Sequence, residues 1–303
     1  MNDVAILLLA YGTPDTEADI EPYLSEIRRG RPASAEFVKE LKQQYRRIGG
    51  RSPLLEITKG QASALETVLR KQGFFARTYI GMKHWHPYIR EVVPEILRNG
   101  HDRLVALALA PHFSTVSTGG YKAALEEALG QDSKLEVRFI ESWYDNPLFH
   151  QAVAEKVKNA LGTFPSPENV HVIFTAHSLP EQVLETKDPY PQQFHASSEA
   201  VAKLVGLKEW GFAYQSAGET GEEWLGPDLL EVLNEINVKT MDAQVLVVPI
   251  GFVSDHLEIL FDLDIEAQEY AKRRKITLRR TESMNTSPTF IAALADVISK
   301  RVG

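Results

Sequence analysis

Cysteine is absent from all 303 residues of the chain. Its absence excludes disulfide bonds, zinc sites with thiolate ligands, cysteine-ligated iron–sulfur clusters and a cysteine nucleophile. Long apolar runs are missing as well, since none approaches the roughly 20 residues that cross a bilayer. Basic residues do not predominate either. The net charge of −8 argues against a nucleic-acid-binding protein.

Several sequence signals of other protein classes are also missing. The sequence has no P-loop, no Gly-x-Gly-x-x-Gly motif and no Gly-x-Ser-x-Gly motif, which disfavours nucleotide-dependent enzymes and serine hydrolases. No basic and apolar leader precedes the first apolar run. With 44% hydrophobic and 24% charged residues, the composition is that of an ordinary globular protein, for which we expect a cytoplasmic location and no membrane span.

Apolar segments of strand length alternate with amphipathic helical patterns along the whole chain. Strands are predicted at 4–10, 75–81, 103–110, 135–141, 169–175, 211–215, 244–250 and 276–280. Helices are predicted at 35–47, 55–72, 87–98, 120–130, 147–162, 192–206, 227–238, 255–273 and 286–302. This order predicts an α/β protein with parallel sheets flanked by helices. A connector rich in Gly and Pro suggests two lobes, 1–162 and 163–303, and the last helix could pack on the first lobe.

Two strand ends have similar sequences. Ala10-Tyr-Gly-Thr-Pro14 closes the first apolar run, and Ala176-His-Ser-Leu-Pro180 closes the run at 169–175. The offset between Tyr11 and His177 is 166 residues, as it is between the two prolines. Because ligands bind beyond the carboxyl ends of parallel strands, we expect two similar lobes facing one cleft, with Tyr11 and His177 on opposite sides.

A row of carboxylates follows the strand at 244–250. Its members lie three or four residues apart, on one face of the predicted helix: Asp255, Glu258, Asp262, Glu266 and Glu269. A solvated acidic helix face is the ordinary interpretation of such a row. Its start at a strand's carboxyl end favours a second interpretation, a path for a divalent ion or for protons. His177 is likewise either a packed residue or a ligand, and its place at a strand end favours function.

Two clusters of arginine are conspicuous in an acidic protein. They lie at 28–31 and 46–51. Arginine is suited to binding carboxylates and phosphates through two parallel hydrogen bonds. Charged surface loops are an equally good explanation of these clusters taken alone.

Ten short segments occur in order along nearly the whole chain. They are Ala10-Tyr-Gly-Thr-Pro14, Ile27-Arg-Arg-Gly-Arg31, Gly49-Gly-Arg-Ser-Pro-Leu54, Gly81-Met-Lys-His84, Ala110-Pro-His-Phe-Ser114, Glu141-Ser-Trp-Tyr144, Thr175-Ala-His-Ser-Leu-Pro180, Gln215-Ser216, Trp224-Leu-Gly-Pro-Asp228 and Gly251-Phe-Val-Ser-Asp-His-Leu-Glu258. With these segments the chain resembles the ferrochelatase family, which inserts ferrous iron into porphyrins. Tyr11 makes it most similar to the short ferrochelatases of Gram-positive bacteria, which act on coproporphyrin III.

The resemblance implies a fold and a set of roles. The fold would be two similar Rossmann-like lobes, the chelatase fold, with the porphyrin in the cleft between them. His177 and Glu258 would be the catalytic, iron-side pair, and Asp262 and Glu266 would continue an acidic path along a helix with a π-type turn. Tyr11 would lie on the other face of the macrocycle and ligate iron in the product. Fe²⁺ would be a substrate, with no tightly bound cofactor.

The resemblance also implies substrate contacts. Positions that contact the porphyrin in the family are occupied here by Arg28, Tyr45, Ser52 and Tyr121. Gln44 stands where arginine is frequent, which leaves one propionate contact open. The expected partners are coproporphyrin III and ferrous iron, with transient contacts to neighbouring enzymes of haem synthesis.

Three alternatives remain at the level of sequence. The chain could be a protoporphyrin IX ferrochelatase or a chelatase for another metal. It could be a non-catalytic tetrapyrrole or metal carrier, although a carrier has no need of a proton path. An exported bilobal binding protein would require a leader.

Overall fold

The computed structural model describes residues 4–218 and 221–302. Within these residues, eight strands form two four-stranded parallel sheets, one in each half of the chain. The strands are β1 (Val4–Ala10), β2 (Ala76–Met82), β3 (Arg103–Ala108), β4 (Glu136–Ile140), β5 (Val170–His177), β6 (Gly211–Gln215), β7 (Gln244–Val248) and β8 (Thr277–Arg280).

Helices connect the strands and cover both sheets. The α-helices are α1 (Ile20–Ile27), α2 (Ala35–Arg47), α3 (Leu54–Lys71), α4 (Ile89–Arg98), α5 (Thr118–Leu129), α6 (Pro147–Leu161), α7 (Gln182–Glu185), α8 (Tyr190–Val205), α9 (Leu229–Lys239), α10 (Gln268–Arg273) and α11 (Pro288–Val302). A π-helix covers Ile259–Ala267 and runs into α10. Among the described residues, no helix is both long and apolar enough to cross a membrane.

The two sheets have the same topology. Their strand orders are β2-β1-β3-β4 and β6-β5-β7-β8. The first strand of each half is therefore an inner strand: β1 pairs with both β2 and β3, and β5 pairs with both β6 and β7. All seven residues of β1 are buried, which explains its uninterrupted apolar sequence. The predicted architecture of two similar parallel sheets flanked by helices is confirmed.

One hydrophobic core continues from the first half into the second. It includes Leu65 and Trp143 of the first half together with Phe174, Phe194 and Phe290 of the second. The last helix, α11, packs against α3, α6 and β3 of the first half. The lobe boundary at 162 and 163 stays a prediction, since this shared core joins the two halves.

The secondary structure differs from the sequence prediction mainly beside the cleft. Helix α1 was not predicted; it is only eight residues long and contains a proline. The predicted helix at 255–273 begins two residues later, and it contains the π-helical turn that the family resemblance implied. Residue patterns do not reveal the hydrogen bonds between residues i and i+5 that define a π-helix.

Candidate active site in the cleft between the lobes

The cleft lies where the connections of each sheet diverge. In the first sheet the connections after β1 and β3 run to opposite sides, and in the second sheet those after β5 and β7 do the same. Such switch points are the usual ligand sites of open parallel sheets. A cavity of about 570 Å³ is lined by side chains that end or follow these four strands, among them Tyr11, His112, His177 and Glu258.

Most of the remaining cavity wall is apolar. Helices α1, α2 and α3 contribute Leu24, Ile27, Phe37, Leu41 and Leu54. Apolar walls with a few convergent polar groups are typical of sites for organic ligands, and this volume is within their usual range.

His177 and Glu258 face each other in this cavity. Nε2 of His177 lies 3.6 Å from a carboxylate oxygen of Glu258, and each side chain is 34% exposed. Nδ1 of His177 donates a hydrogen bond to the carbonyl oxygen of Ser178. This bond fixes the ring orientation and directs Nε2 toward Glu258 and the cavity.

A glycine allows the two side chains to come together. A Cβ atom on Gly251, after β7, would lie 2.7 Å from Cβ of Ala176 at the end of β5. No side chain fits at that distance, so only glycine lets the loop that leads to Glu258 pack directly beside His177.

A second histidine, His256, lies beside the carboxylate of Glu258. The sequence analysis did not predict a role for it. Nε2 of His256 lies 3.4 Å from the other carboxylate oxygen of Glu258, and its Nδ1 bonds the carbonyl oxygen of Ser254 at 2.9 Å. The only signal was its position two residues before Glu258 in one of the segments that carried the family resemblance.

The pKa values of the facing pair move in opposite directions. Burial lowers the pKa of His177, but the charge and hydrogen bond of Glu258 outweigh burial and raise it to about 9. Burial raises the pKa of Glu258, but His177 and His256 together hold it far below its ordinary 4.5. At neutral pH the pair is therefore an imidazolium and a carboxylate, and His177 must lose its proton before it can act as a base or ligand.

The carboxylate row leads from this pair toward the surface. Glu258 caps the π-helix, and Asp262 and Glu266 follow at intervals of four residues. Asp262 accepts a hydrogen bond from the hydroxyl of Ser216, a residue held at φ 60° after β6. Burial and the charge of Glu258 raise the pKa of Asp262 to about 7, and burial also raises the pKa of the more exposed Glu266.

The predicted carboxylate row is wrong at its first member. Asp255 precedes the helix and turns away to accept hydrogen bonds from Ser283 at 2.7 Å and Asn285 at 2.8 Å. It also pairs with Arg280 at 3.2 Å. The helical spacing does not apply at this position, because residues 255 and 256 are not helical.

Tyr11 lines the cavity from the first lobe. The residue is 43% exposed, and the centroid of its ring lies 4.6 Å from that of His84. Gly12 follows at φ +93°, where a Cβ atom would lie 2.8 Å from the backbone nitrogen of Trp85, so this close approach requires glycine. Partial burial and the charge of Glu258 raise the pKa of Tyr11 to about 12, which keeps the phenol protonated at neutral pH.

The predicted substrate contacts fall into two groups. Tyr45 and Tyr121 are buried and line the cavity. Arg28, Gln44 and Ser52 do not line it. Each of the three is within two residues, along the sequence, of a residue that lines the cavity.

Two arginines of the second basic cluster are already paired. Arg46 makes two hydrogen bonds to Glu17, at 2.7 and 2.5 Å. Arg47 pairs with Glu269 of α10 and covers the ring of Phe261. These pairings could not be foreseen from sequence spacing, because both acidic partners are distant in sequence.

Within residues 4–218 and 221–302, no group of three or more His, Asp and Glu side chains is arranged to hold a metal ion. The cavity nevertheless offers an imidazole and a carboxylate on one side and a phenol on the other. These groups can exchange protons with a bound ligand and contact an ion in passage.

Comparisons with known proteins agree with this arrangement. The family model for ferrochelatase matches residues 3–302. A ferrochelatase of Herpetosiphon aurantiacus is 40% identical over 301 residues, covering 97% of this chain and 98% of the relative. A coproporphyrin III ferrochelatase of Bacillus subtilis is 39% identical over 304 residues, covering 99% and 98%.

Solved structures support the fold. SirB of Bacillus subtilis, solved with Fe³⁺, superposes with a TM-score of 0.62 at 13% identity, covering 98% of this chain and 95% of that one. CbiX, the terminal enzyme of sirohaem biosynthesis in denitrifying bacteria, gives a TM-score of 0.56 at 10% identity, covering 99% and 100%. These two likenesses show the chelatase fold, and the sequence relatives show the family: the chain belongs to the ferrochelatases, the metal-inserting enzymes of haem biosynthesis.

Proposed function

We propose that this protein inserts ferrous iron into coproporphyrin III. The observation that carries the proposal is the cavity with His177 and Glu258 on one wall and Tyr11 on the other. Relatives at 38% and 39% identity, from Halalkalibacterium halodurans and Bacillus subtilis, are named coproporphyrin III ferrochelatases.

His177 and Glu258 are assigned the chemical step. Metal insertion removes two protons from the pyrrole nitrogens and strips water from the ion. A neutral imidazole can accept a pyrrole proton or ligate the ion, and the adjacent carboxylate stabilises the imidazolium that results. His177 first passes its own proton on, and the neighbouring Asp262, with its pKa raised to about 7, is the acceptor best matched to neutral pH.

Asp262 and Glu266 are assigned the transfer of protons toward solvent. Each has a raised pKa, so each exchanges protons nearer to neutral pH than a free carboxyl group. Tyr11, with its protonated phenol, faces the other side of the ring and is assigned to the product as an axial ligand of the iron. Fe²⁺ is a substrate in this scheme, because the ion must leave the protein for the ring.

The choice of coproporphyrin is supported by polar residues that line the cavity or are close in sequence to residues that line it. Coproporphyrin III carries four propionates and protoporphyrin IX carries two. Arg28 is exposed directly after Ile27, a cavity-lining residue. Tyr45 and Tyr121 supply phenol groups inside the cavity, and Ser52 is two residues before Leu54, which lines it. Charge-assisted hydrogen bonds contribute about 1.5–3 kcal/mol each, so one arginine contact is worth roughly tenfold or more in efficiency.

The test compares anaerobic insertion of Fe²⁺ into coproporphyrin III and protoporphyrin IX. Wild-type protein should have a higher kcat/KM with coproporphyrin III than with protoporphyrin IX. Arg28→Ala should reduce the ratio of these two kcat/KM values. Arg70→Ala is the matched control, since this exposed arginine lies 16 residues beyond Leu54 on α3, about 24 Å along the helix, and should leave the ratio unchanged.

Two outcomes would overturn the proposal. A wild-type preference for protoporphyrin IX would assign the protein to the other substrate, as a plain ferrochelatase. Tight binding of both porphyrins without turnover would indicate a tetrapyrrole carrier.

A further inference from the structure

The loop that follows β3 reaches across the cleft and binds the second lobe. The backbone N–H of Phe113 donates to Oε1 of Gln193 at 2.7 Å. The buried ring of His112 bonds the hydroxyl of Ser197 through Nε2, also at 2.7 Å. Both partner side chains lie on α8, so the loop is attached to one face of that helix.

A buried carboxylate completes this attachment. Asp188, only 3% exposed, lies just before α8 and accepts three hydrogen bonds from the loop through one oxygen. The donors are the backbone N–H and hydroxyl of Thr115, both at 2.7 Å, and the hydroxyl of Ser114 at 3.1 Å. Its other oxygen accepts from the backbone N–H of Tyr190 at 3.0 Å.

Tyr190 connects this carboxylate to the catalytic pair. Its hydroxyl donates to the backbone carbonyl oxygen of His177 at 2.8 Å. Its ring packs edge-on against His112 of the first lobe, with centroids 5.9 Å apart. A continuous series of contacts therefore runs from Thr115 of the first lobe, through Asp188 and Tyr190, to the backbone of His177.

We propose that Asp188 and Tyr190 are positioning residues that hold His177 at a fixed place relative to the first-lobe wall. The inference rests on the proposed function, in which a porphyrin is held between the two walls. A planar ring is bent only by walls that do not yield, and its nitrogens are deprotonated only by an imidazole at the right distance. Displacement of a reacting group by about 1 Å can cost roughly 100-fold in rate.

The first variant is Tyr190→Phe, which removes the hydroxyl and keeps the ring packing. We expect kcat for Fe²⁺ insertion to fall about tenfold, in the range found when groups that orient a functional histidine are removed, while porphyrin affinity measured by fluorescence quenching changes less than about twofold. Tyr79→Phe is the matched control. The hydroxyl of Tyr79 accepts a hydrogen bond from Asn99 at 2.9 Å, and its ring belongs to the separate core cluster under α4. Loss of this hydroxyl should therefore leave kcat unchanged.

A second readout separates positioning from general loosening of the fold. Resonance Raman spectra of bound, metal-free porphyrin report how far the ring is bent. Tyr190→Phe and Asp188→Asn should both weaken the bending bands at full porphyrin saturation, and Tyr79→Phe should not. Wild-type kcat together with wild-type bending bands in Tyr190→Phe would overturn the inference.

The assay also distinguishes this inference from the proposed substrate. All variants are measured with whichever porphyrin the wild-type protein metallates faster. A preference for protoporphyrin IX would refute the substrate proposal. The test of positioning would still stand, because it compares kcat of Tyr190→Phe with kcat of wild type on the same porphyrin.

Discussion

The charge of Glu258 sets the protonation state of His177, and removing it should change that state measurably. Two unit charges 3.6 Å apart interact by about 5 kcal/mol at an effective dielectric constant of about 20. Both side chains are one-third exposed, so solvent screening reduces this to about 2–3 kcal/mol, which corresponds to a pKa difference of roughly 2. Glu258→Gln should therefore lower the pKa of His177 from about 9 to about 7, because burial is then opposed only by the hydrogen bond to Ser178 and the charge of Asp262.

The assay is an NMR titration of histidine ring resonances in labelled protein. His177→Ala identifies the resonance, and Glu127→Gln, an exposed glutamate on α5, is the control that should leave its pKa unchanged. A His177 pKa in Glu258→Gln that stays within about 0.5 of the wild-type value would refute the electrostatic argument, because the Glu258 charge should raise this pKa by roughly 2.

The interaction between His177 and Glu258 also makes the stability of the fold depend on pH. The folded pKa of His177 exceeds its ordinary 6.5, so its contribution is full below pH 6.5 and is lost as pH rises through about 9. The folded pKa of Glu258 is below 4.5, so its contribution is present above pH 4.5 and is lost as pH falls. Both statements describe one interaction. Glu258→Gln should therefore destabilise the protein most at about pH 5–6 and less at about pH 9.5, as measured by chemical denaturation at each pH.

Three further predictions concern the carboxylate row. Glu258→Gln should lower kcat more than Glu266→Gln does, because Glu258 lines the cavity and Glu266 is exposed two helical turns away. The measurement is steady-state kinetics at saturating iron, and a larger loss of kcat in Glu266→Gln would contradict the prediction. Asp262→Asn should remove a rise in rate through about pH 7, where this carboxylate becomes a proton acceptor, and an unchanged pH profile would count against the assignment. Since the pKa of Asp262 is raised, its ionisation costs stability as pH rises through about 7, so Asp262→Asn should raise Tm more at high pH than at low pH.

The sequence was sufficient to locate the sheets, because the inner strands β1, β3, β5 and β7 are predominantly apolar and buried. It was also sufficient to relate Tyr11 to His177, since identical topologies in the two halves place both residues at equivalent strand ends. Helical periodicity failed at Asp255, where three polar partners hold the chain outside the helix.

Contacts between distant segments were beyond the reach of sequence patterns. His256 acquires a role only because a carboxylate lies 3.4 Å away. Tyr190 is 13 residues from His177, and nothing in its neighbourhood indicates that its hydroxyl reaches that backbone. The same limitation applies to Arg46 and Arg47, whose acidic partners come from other elements.

The central claim is that iron enters the porphyrin at His177. The most direct measurement is anaerobic Fe²⁺ insertion by His177→Ala beside its affinity for metal-free coproporphyrin III. Binding should stay within a fewfold of wild type, because it depends on the apolar walls and on propionate contacts, and insertion should fall to background. Wild-type turnover by a folded His177→Ala protein would contradict the account.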